Sequence, residues 1–250
     1  MIKKLKYIKS MYALGKKFTI DPVHLKVDRL SINEINKTPY RYDIINFLIE
    51  NFNRETNYLE IGVRNPVFNF NKINATQKYS VDPCIEIKGV DIDFELTSDS
   101  FFEKLRDGKI LSNNIKFDVI FIDGLHLAEQ VIKDILNSID FLSDDGFIVM
   151  HDCNPPSEYH ASENYEYRMS PSKDYWNGTT WKAFVEFRKR SDYYSCCIDS
   201  DWGVGVISKN INFGRKNVVE NPFFEFNIFD KTRIESLNLL PFDDFKKFIK

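Results

Sequence analysis

The stretch from Phe117 to Asp152 constrains this chain most. It opens with Phe117-Asp-Val-Ile-Phe-Ile-Asp123, a nearly unbroken apolar run that ends in an acid. A strand solvated on one face alternates apolar and polar residues. A continuous run instead predicts a central strand of a parallel sheet, covered on both faces. Ala128, Val131, Ile132, Ile135, Ile139 and Leu142 then recur at helical spacing, Ser-Asp-Asp-Gly146 stops the helix, and Phe147-Ile-Val-Met150 reads as another buried strand. Strand, helix and strand in this order call for a right-handed crossover.

The alternation continues on both sides. Ile45, Leu48, Ile49 and Phe52 share a helical face across 41–53, and Ser31 with Glu34 has capping-box spacing for a short helix before it. Tyr58-Leu-Glu-Ile-Gly-Val63 reads as a strand ending in a glycine turn, Lys78 to Asp82 as a second ending in an acid, and Ile92 to Leu96 as a third. Residues 153–179 are polar, contain Pro155, Pro156, Pro171 and Gly178, and lack periodicity. A loop this long inside a domain is usually functional or mobile. Thr179 or Thr180 then caps a helix whose inner face is Trp181, Phe184 and Val185. Segments 193–199 and 202–208 should close the sheet as an antiparallel edge hairpin. The expected fold class is α/β: a single Rossmann-like domain over 57–209, its sheet mostly parallel with helices on both faces. Residues 1–56 form a helical extension before it, and 210–250 pack back on the core.

At 250 residues, 43% hydrophobic and 28% charged, the chain suits one globular domain. The net charge of −3 gives no electrostatic argument for a nucleic acid partner. Cys84, Cys153, Cys196 and Cys197 show no C-x-x-C spacing, which fits reduced thiols and a cytoplasmic location. No apolar stretch is long enough for a signal peptide or a transmembrane span. Lys3, Lys4, Lys6, Lys9, Lys16 and Lys17 precede any acidic residue. They admit a weak peripheral contact with an anionic membrane; a solvated, partly frayed segment is the plainer expectation.

In an open α/β sheet, ligands bind beyond the carboxyl ends of the strands. Four strand ends here carry Glu60/Gly62, Asp82, Asp123 and Asp152. Any one acid could cap a helix; four, each directly after an apolar run, imply a site. A dinucleotide fold asks for G-x-G-x-x-G, whereas this turn reads Glu60-Ile-Gly62-Val-Arg-Asn-Pro66 with one glycine. S-adenosylmethionine (SAM) has no phosphate. It needs one position without a Cβ beside its methionine part, as at Gly62, and an acid for its ribose hydroxyls, as at Asp82. Arg64 suits the methionine carboxylate, or equally a solvated surface. Glu60, Ser98 and Asp123 complete the contacts expected around this cofactor.

The stretches YLEIGVRNP, KYSVDP, FDVIFIDGLHLAEQVIKDILNSIDFLSDDGFIVMHDCNPP, WNGTTWKAFVEFR and DWGVGVI resemble the class I SAM-dependent methyltransferases. In particular they are similar to small bacterial O-methyltransferases that tailor surface polysaccharides and glycosides. The resemblance covers about residues 57–209, and departs at the turn after Glu60, where many relatives have two or three glycines. Methyl transfer to an alcohol needs help with its proton, from a positioned base or a divalent cation. The resemblance assigns these aids. Asp123 and Asp152 become metal ligands, with Mg²⁺ admitted but not required, and His126 becomes the general base acting on a saccharide or other small-molecule hydroxyl. Asn154 is the nearest candidate for a third ligand. Strand alternation directs His151 to the opposite face from Asp152. Trp176 or Tyr175 would offer an apolar face to a sugar ring, and Trp181 belongs to the core.

Three other readings remain open at this stage. A Rossmann oxidoreductase binding a nicotinamide is opposed by the glycine pattern. A non-catalytic SAM-fold binding module is opposed by the intact Glu60, Asp82, Asp123, His126 and Asp152. A glycosyltransferase is opposed by the lack of Asp-x-Asp at a strand end, since Asp91-Ile-Asp93 begins a strand instead.

Overall fold

The two apolar runs become neighbouring strands. In a computed structural model, which describes residues 2–165 and 170–249, β3 (Phe117–Ile122) and β4 (Leu142–Met150) pair in parallel, with Val119 opposite Phe147 and Ile122 opposite Met150. Every residue of β3 is buried, as expected of a strand covered on both faces. On its other side lies β1 (Asn57–Ile61), and beyond that β2 (Gln77–Val81), both parallel to it. The hairpin β5 (Tyr194–Ile198) and β6 (Val204–Ser208) follows with β6 antiparallel to both β4 and β5. The tail then supplies β7 (Leu239–Leu240), a two-residue strand parallel to β5, so the full order is β2-β1-β3-β4-β6-β5-β7.

Helices cover both faces. On one face, α3 (Arg41–Glu50) buries Ile44, Ile45, Leu48 and Ile49 in a cluster with Tyr58, Val119 and Phe121. On the other lie α4 (Ser98–Arg106), α5 (Ala128–Phe141) and α6 (Thr180–Phe187), which bury Phe101, Phe102, Val131, Ile135 and Phe184. Trp181 is core, 1% exposed, with its ring 4.3 Å from that of Phe229 in α7 (Phe226–Lys231). The Phe-rich tail, which also forms α8 (Arg233–Leu237) and α9 (Phe242–Phe245), therefore packs on both clusters.

Two local expectations are corrected. Ile92 to Leu96 forms no strand: Phe94 alone bridges Val81. The segment carries Asp93 and Glu95, and the Asp93 carboxylate accepts from both the Ser80 amide (2.9 Å) and its hydroxyl (2.7 Å), so backbone pairing is confined to Phe94 and a side chain binds the rest. The start of the chain is helical, with α1 (Ile2–Ile20) and α2 (Pro22–Ile35). The cap between them is Asp21, which accepts from the amides of Val23 and His24 ahead of Pro22 at the first helical position. Ser31 and Glu34 lie inside α2 and cap nothing; the Ser31 hydroxyl donates to Val27 O instead. Of the polar segment 153–179, residues 166–169 fall outside the described residues, as do Met1 and Lys250 of the two extensions.

All four cysteines are buried and free. Among the described residues no helix is long and apolar enough to cross a membrane.

Candidate active site

The strand order reverses at β1: the chain leaves β1 for β2 on one side, then crosses back to β3 on the other. The carboxyl ends of β1 and β3 therefore flank a crevice of the kind that holds ligands in such sheets. Gly62 sits there with φ +85°, and a Cβ on it would lie 2.3 Å from Gly124 Cα and 2.4 Å from Asp123 O. Only glycine permits the two loops to touch. At the end of β2, Asp82 accepts from the amides of Arg64 (2.8 Å) and Cys84 (2.7 Å), one on each carboxylate oxygen. Each oxygen keeps a lone pair for a further donor. The Arg64 side chain is exposed and ion-paired with Glu86 at 2.8 Å.

Glu60, 2% exposed, lies beneath this turn and accepts from Tyr58 Oη (2.6 Å) and Asn69 Nδ2 (2.8 Å). Burial outweighs both hydrogen bonds and pushes its carboxyl up to about 7. Ser98 opens α4 and accepts from Gln130 Nε2 on α5, so its bonds run to that helix and not to the crevice.

Asp123, His126 and Asp152 converge. The imidazole of His126 is bracketed by the two carboxylates, with Nε2 3.3 Å from Asp123 and Nδ1 3.2 Å from Asp152. One ligand atom from each of the three lies within 4.8 Å of the others. Asp152 reaches this position with φ +61°, a left-handed conformation that aspartate tolerates better than most residues.

That backbone turn also corrects His151, expected on the opposite face. Alternation holds only while the chain stays in the sheet, and β4 ends at Met150. His151 Nδ1 lies 3.3 Å from Asp123 and 3.2 Å from Asp152, so it joins the cluster. Asn154 does not. Its side chain is taken by Arg233 and Asp199, and the amide beside Asp152 is Asn177, whose Nδ2 donates to Asp152 Oδ1 at 2.5 Å. Asn177 is fully buried, and its Oδ1 has no hydrogen-bond partner among the described residues.

Sequence reasoning missed Arg41 and Asp201 as well. Arg41, the first residue of α3, places Nη1 3.0 Å from His151 Nε2 and Nε 3.7 Å from Asp123. Its backbone amide donates to Asp201 at 2.7 Å. Asp201, Trp202 and Gly203 hold φ +43°, +65° and +87° in succession, a strained turn that points Asp201 inward. An acid inside the DWG hairpin turn was the available signal for Asp201. Arg41 left none, because only tertiary packing brings it here.

Charges in this cluster depend on one another. Burial opposes charge on Asp123, but His151, hydrogen bonds from both histidines and Arg41 hold its carboxyl well below the usual range. Burial likewise opposes protonation of His126 and His151, yet Asp152 and Asp123 raise both, His151 far more strongly. Asp201 falls to about 2, since His151 and Arg41 outweigh its burial.

The polar segment closes over the cluster. Trp176 stacks on His126, with ring centroids 5.2 Å apart and planes at 22°, and its carbonyl lies 3.2 Å from His126 Nδ1. Gly178 (φ +60°) presses on the His126 backbone, where a Cβ would meet the carbonyl oxygen at 2.1 Å. The Thr179 amide donates to that same oxygen. Tyr175 stacks instead on Trp202, at 5.4 Å.

Residues 51–153 match the family model described as a methyltransferase domain. Comparison with curated proteins gives no match. Among solved structures, the plantazolicin methyltransferase BpumL in complex with SAH has 16% identity and a TM-score of 0.46, covering 83% of this chain and 98% of its own. An O-methyltransferase from Bacillus cereus in complex with SAH has 12% identity and 0.43, covering 76% and 91%. MycE, from the mycinamycin biosynthetic pathway, in complex with Mg, SAH and mycinamycin VI, has 14% identity and 0.44, covering 83% and 59%. At these values the three likenesses carry no functional weight. The matched segment and the sheet order point the same way: residues 51–153, which carry β1 to β4 and the acids at their ends, are similar to a methyltransferase domain.

Proposed function

We propose that this chain transfers the methyl group of SAM to a hydroxyl of a saccharide or glycoside, with His126 as the base. The observation that carries this reading is the His126 imidazole, bracketed by Asp123 and Asp152 and roofed by the indole of Trp176.

The residues fit the cofactor. Gly62 gives the methionine part a backbone without a Cβ, and the free lone pairs of Asp82 suit the two ribose hydroxyls. They fit a divalent cation too: two carboxylates and the buried, unpartnered Oδ1 of Asn177 are oxygen donors of the kind Mg²⁺ accepts. A cation held there by Asp123 and Asp152 would acidify a bound hydroxyl. His126 takes the hydroxyl proton as the oxygen attacks the methyl carbon, while the methyl–sulfur bond breaks and its electron pair stays on sulfur, leaving S-adenosylhomocysteine. Trp176 offers an apolar face to the sugar ring. Arg41 and Asp201 hold His151, which keeps Asp123 in place.

The assay is incubation with methyl-labelled SAM and a panel of sugars, nucleotide sugars and oligosaccharides, with and without Mg²⁺. Label in a saccharide product is the expected result. Tight SAM binding with no transfer to any acceptor class would favour a binding module instead.

A further inference from the structure

Helix α1 has no role in the site, and it stands apart in charge and exposure. Its main packing partner is α2, against which Phe18 meets the His24 ring edge-on at 4.4 Å. Leu5, Tyr7, Ile8, Met11, Tyr12 and Leu14 are 49–75% exposed. All six of its lysines lack an ion pair among the described residues. At 100° per residue the two kinds of side chain separate. Leu14, Tyr7, Phe18, Met11, Ile8, Tyr12 and Leu5 occupy one half of the helix, interrupted only by Lys4 among charged residues. The other five lysines, Lys3, Lys6, Lys9, Lys16 and Lys17, share the remaining arc, where Ala13 and Ile20 are apolar.

We propose that α1 is an interfacial helix that docks this protein on an anionic lipid surface, lying in the membrane plane and not crossing it. Charge complementarity selects this occupant. The helix has six lysines and no acid, while the remaining residues carry 28 basic against 37 acidic side chains. An anionic surface thus attracts α1 and repels the body behind it, which leaves the domain held off the membrane by α2. Pairing of α1 with a second α1 would bring two lysine sets together. Lysine stems can lie along the lipid boundary while their ammonium groups reach the headgroups. This inference does not rest on the catalytic reading.

Co-sedimentation of the full chain with vesicles tests it. Binding is expected to phosphatidylglycerol–phosphatidylcholine vesicles at low salt, to weaken steeply at high salt, and to be absent with phosphatidylcholine alone. Neutralising Lys9→Gln, Lys16→Gln and Lys17→Gln together should weaken it about 100-fold, roughly fivefold per lysine. Ile8→Ser with Tyr12→Ser should lower it at constant charge. These positions are exposed, so circular dichroism and labelled-SAM binding should match the parent chain. Equal affinity for neutral vesicles, no binding to anionic ones, or lysine variants that bind like the parent would each overturn the proposal. So would sedimentation showing a dimer that the lysine variants convert to monomer, because α1 would then serve a second copy.

Discussion

The indole of Trp176 lies 5.2 Å from the imidazole of His126 at 22° to it, although the two residues are 50 positions apart. The backbone carbonyl of Trp176 also faces His126 Nδ1, so one residue both covers the ring and aims it. These roles separate by mutation, because replacing the side chain leaves the carbonyl.

Trp176→Ala should raise the acceptor KM about tenfold, the scale of one lost aromatic contact, with SAM affinity unchanged and kcat within a few-fold. Trp176→Phe should recover most of the loss. Steady-state kinetics with the best acceptor in the panel reads both. A kcat collapse with unchanged KM would place Trp176 outside the acceptor site.

His126→Ala should cut turnover roughly 10²–10⁴-fold while SAM affinity, by calorimetry, stays near the parent value. Asp152→Asn should also lose turnover, with partial recovery at high Mg²⁺ or Mn²⁺ as mass action refills a weakened site. Chelator treatment should reproduce the aspartate variant and not the histidine one. A chelator-insensitive enzyme that dies with His126→Ala would refute the metal and keep the base.

Asp82→Ala should weaken SAM binding by about 2–4 kcal/mol, through lost ribose contacts and loss of the acceptor that fixes the Arg64 amide. An unchanged dissociation constant would move the ribose site elsewhere.

His160 is fully buried between the hydroxyls of Ser31 (2.9 Å) and Ser157 (2.8 Å), and burial lowers its pKa to about 4. As pH falls from the ordinary 6.5 toward 4, the unfolded chain takes up a proton that the folded one refuses. Stability should drop by up to about 3 kcal/mol across that window. Asp134 behaves oppositely: burial raises it to about 6, so it costs stability as pH rises from 3.8 through 6. Denaturant unfolding against pH should show the acid-side slope flattened in His160→Gln. In Asp134→Asn the chain should be more stable than the parent above pH 6. Because the two groups oppose each other in the parent chain, the variants decide: an acid-side slope that His160→Gln leaves unchanged would contradict the His160 assignment.

What the sequence by itself determined is the part written in local periodicity and strand ends. The unbroken apolar run at Phe117–Ile122 specified a central strand, and the helix spacing of Val131 and Ile135 specified the crossover. Parallel strands bring their carboxyl ends to one edge, so acids directly after the runs, Asp82, Asp123 and Asp152, had to gather at that edge. His126 came with them, three residues beyond its strand. Tertiary structure alone decided the rest. The left-handed backbone at Asp152 turned His151 inward, against the alternation that a strand would impose. Docking of α3 delivered Arg41 from 82 residues before Asp123, and the strained turn at Asp201–Gly203 delivered the carboxylate that holds it. The polar segment chose Asn177 for Asp152, while Asn154 was already bound to Arg233 and Asp199. No spacing rule encodes these contacts. Each depends on where a loop or helix end lies once both faces of the sheet are covered, and that is fixed by long-range packing and not by the residues' neighbours in the chain.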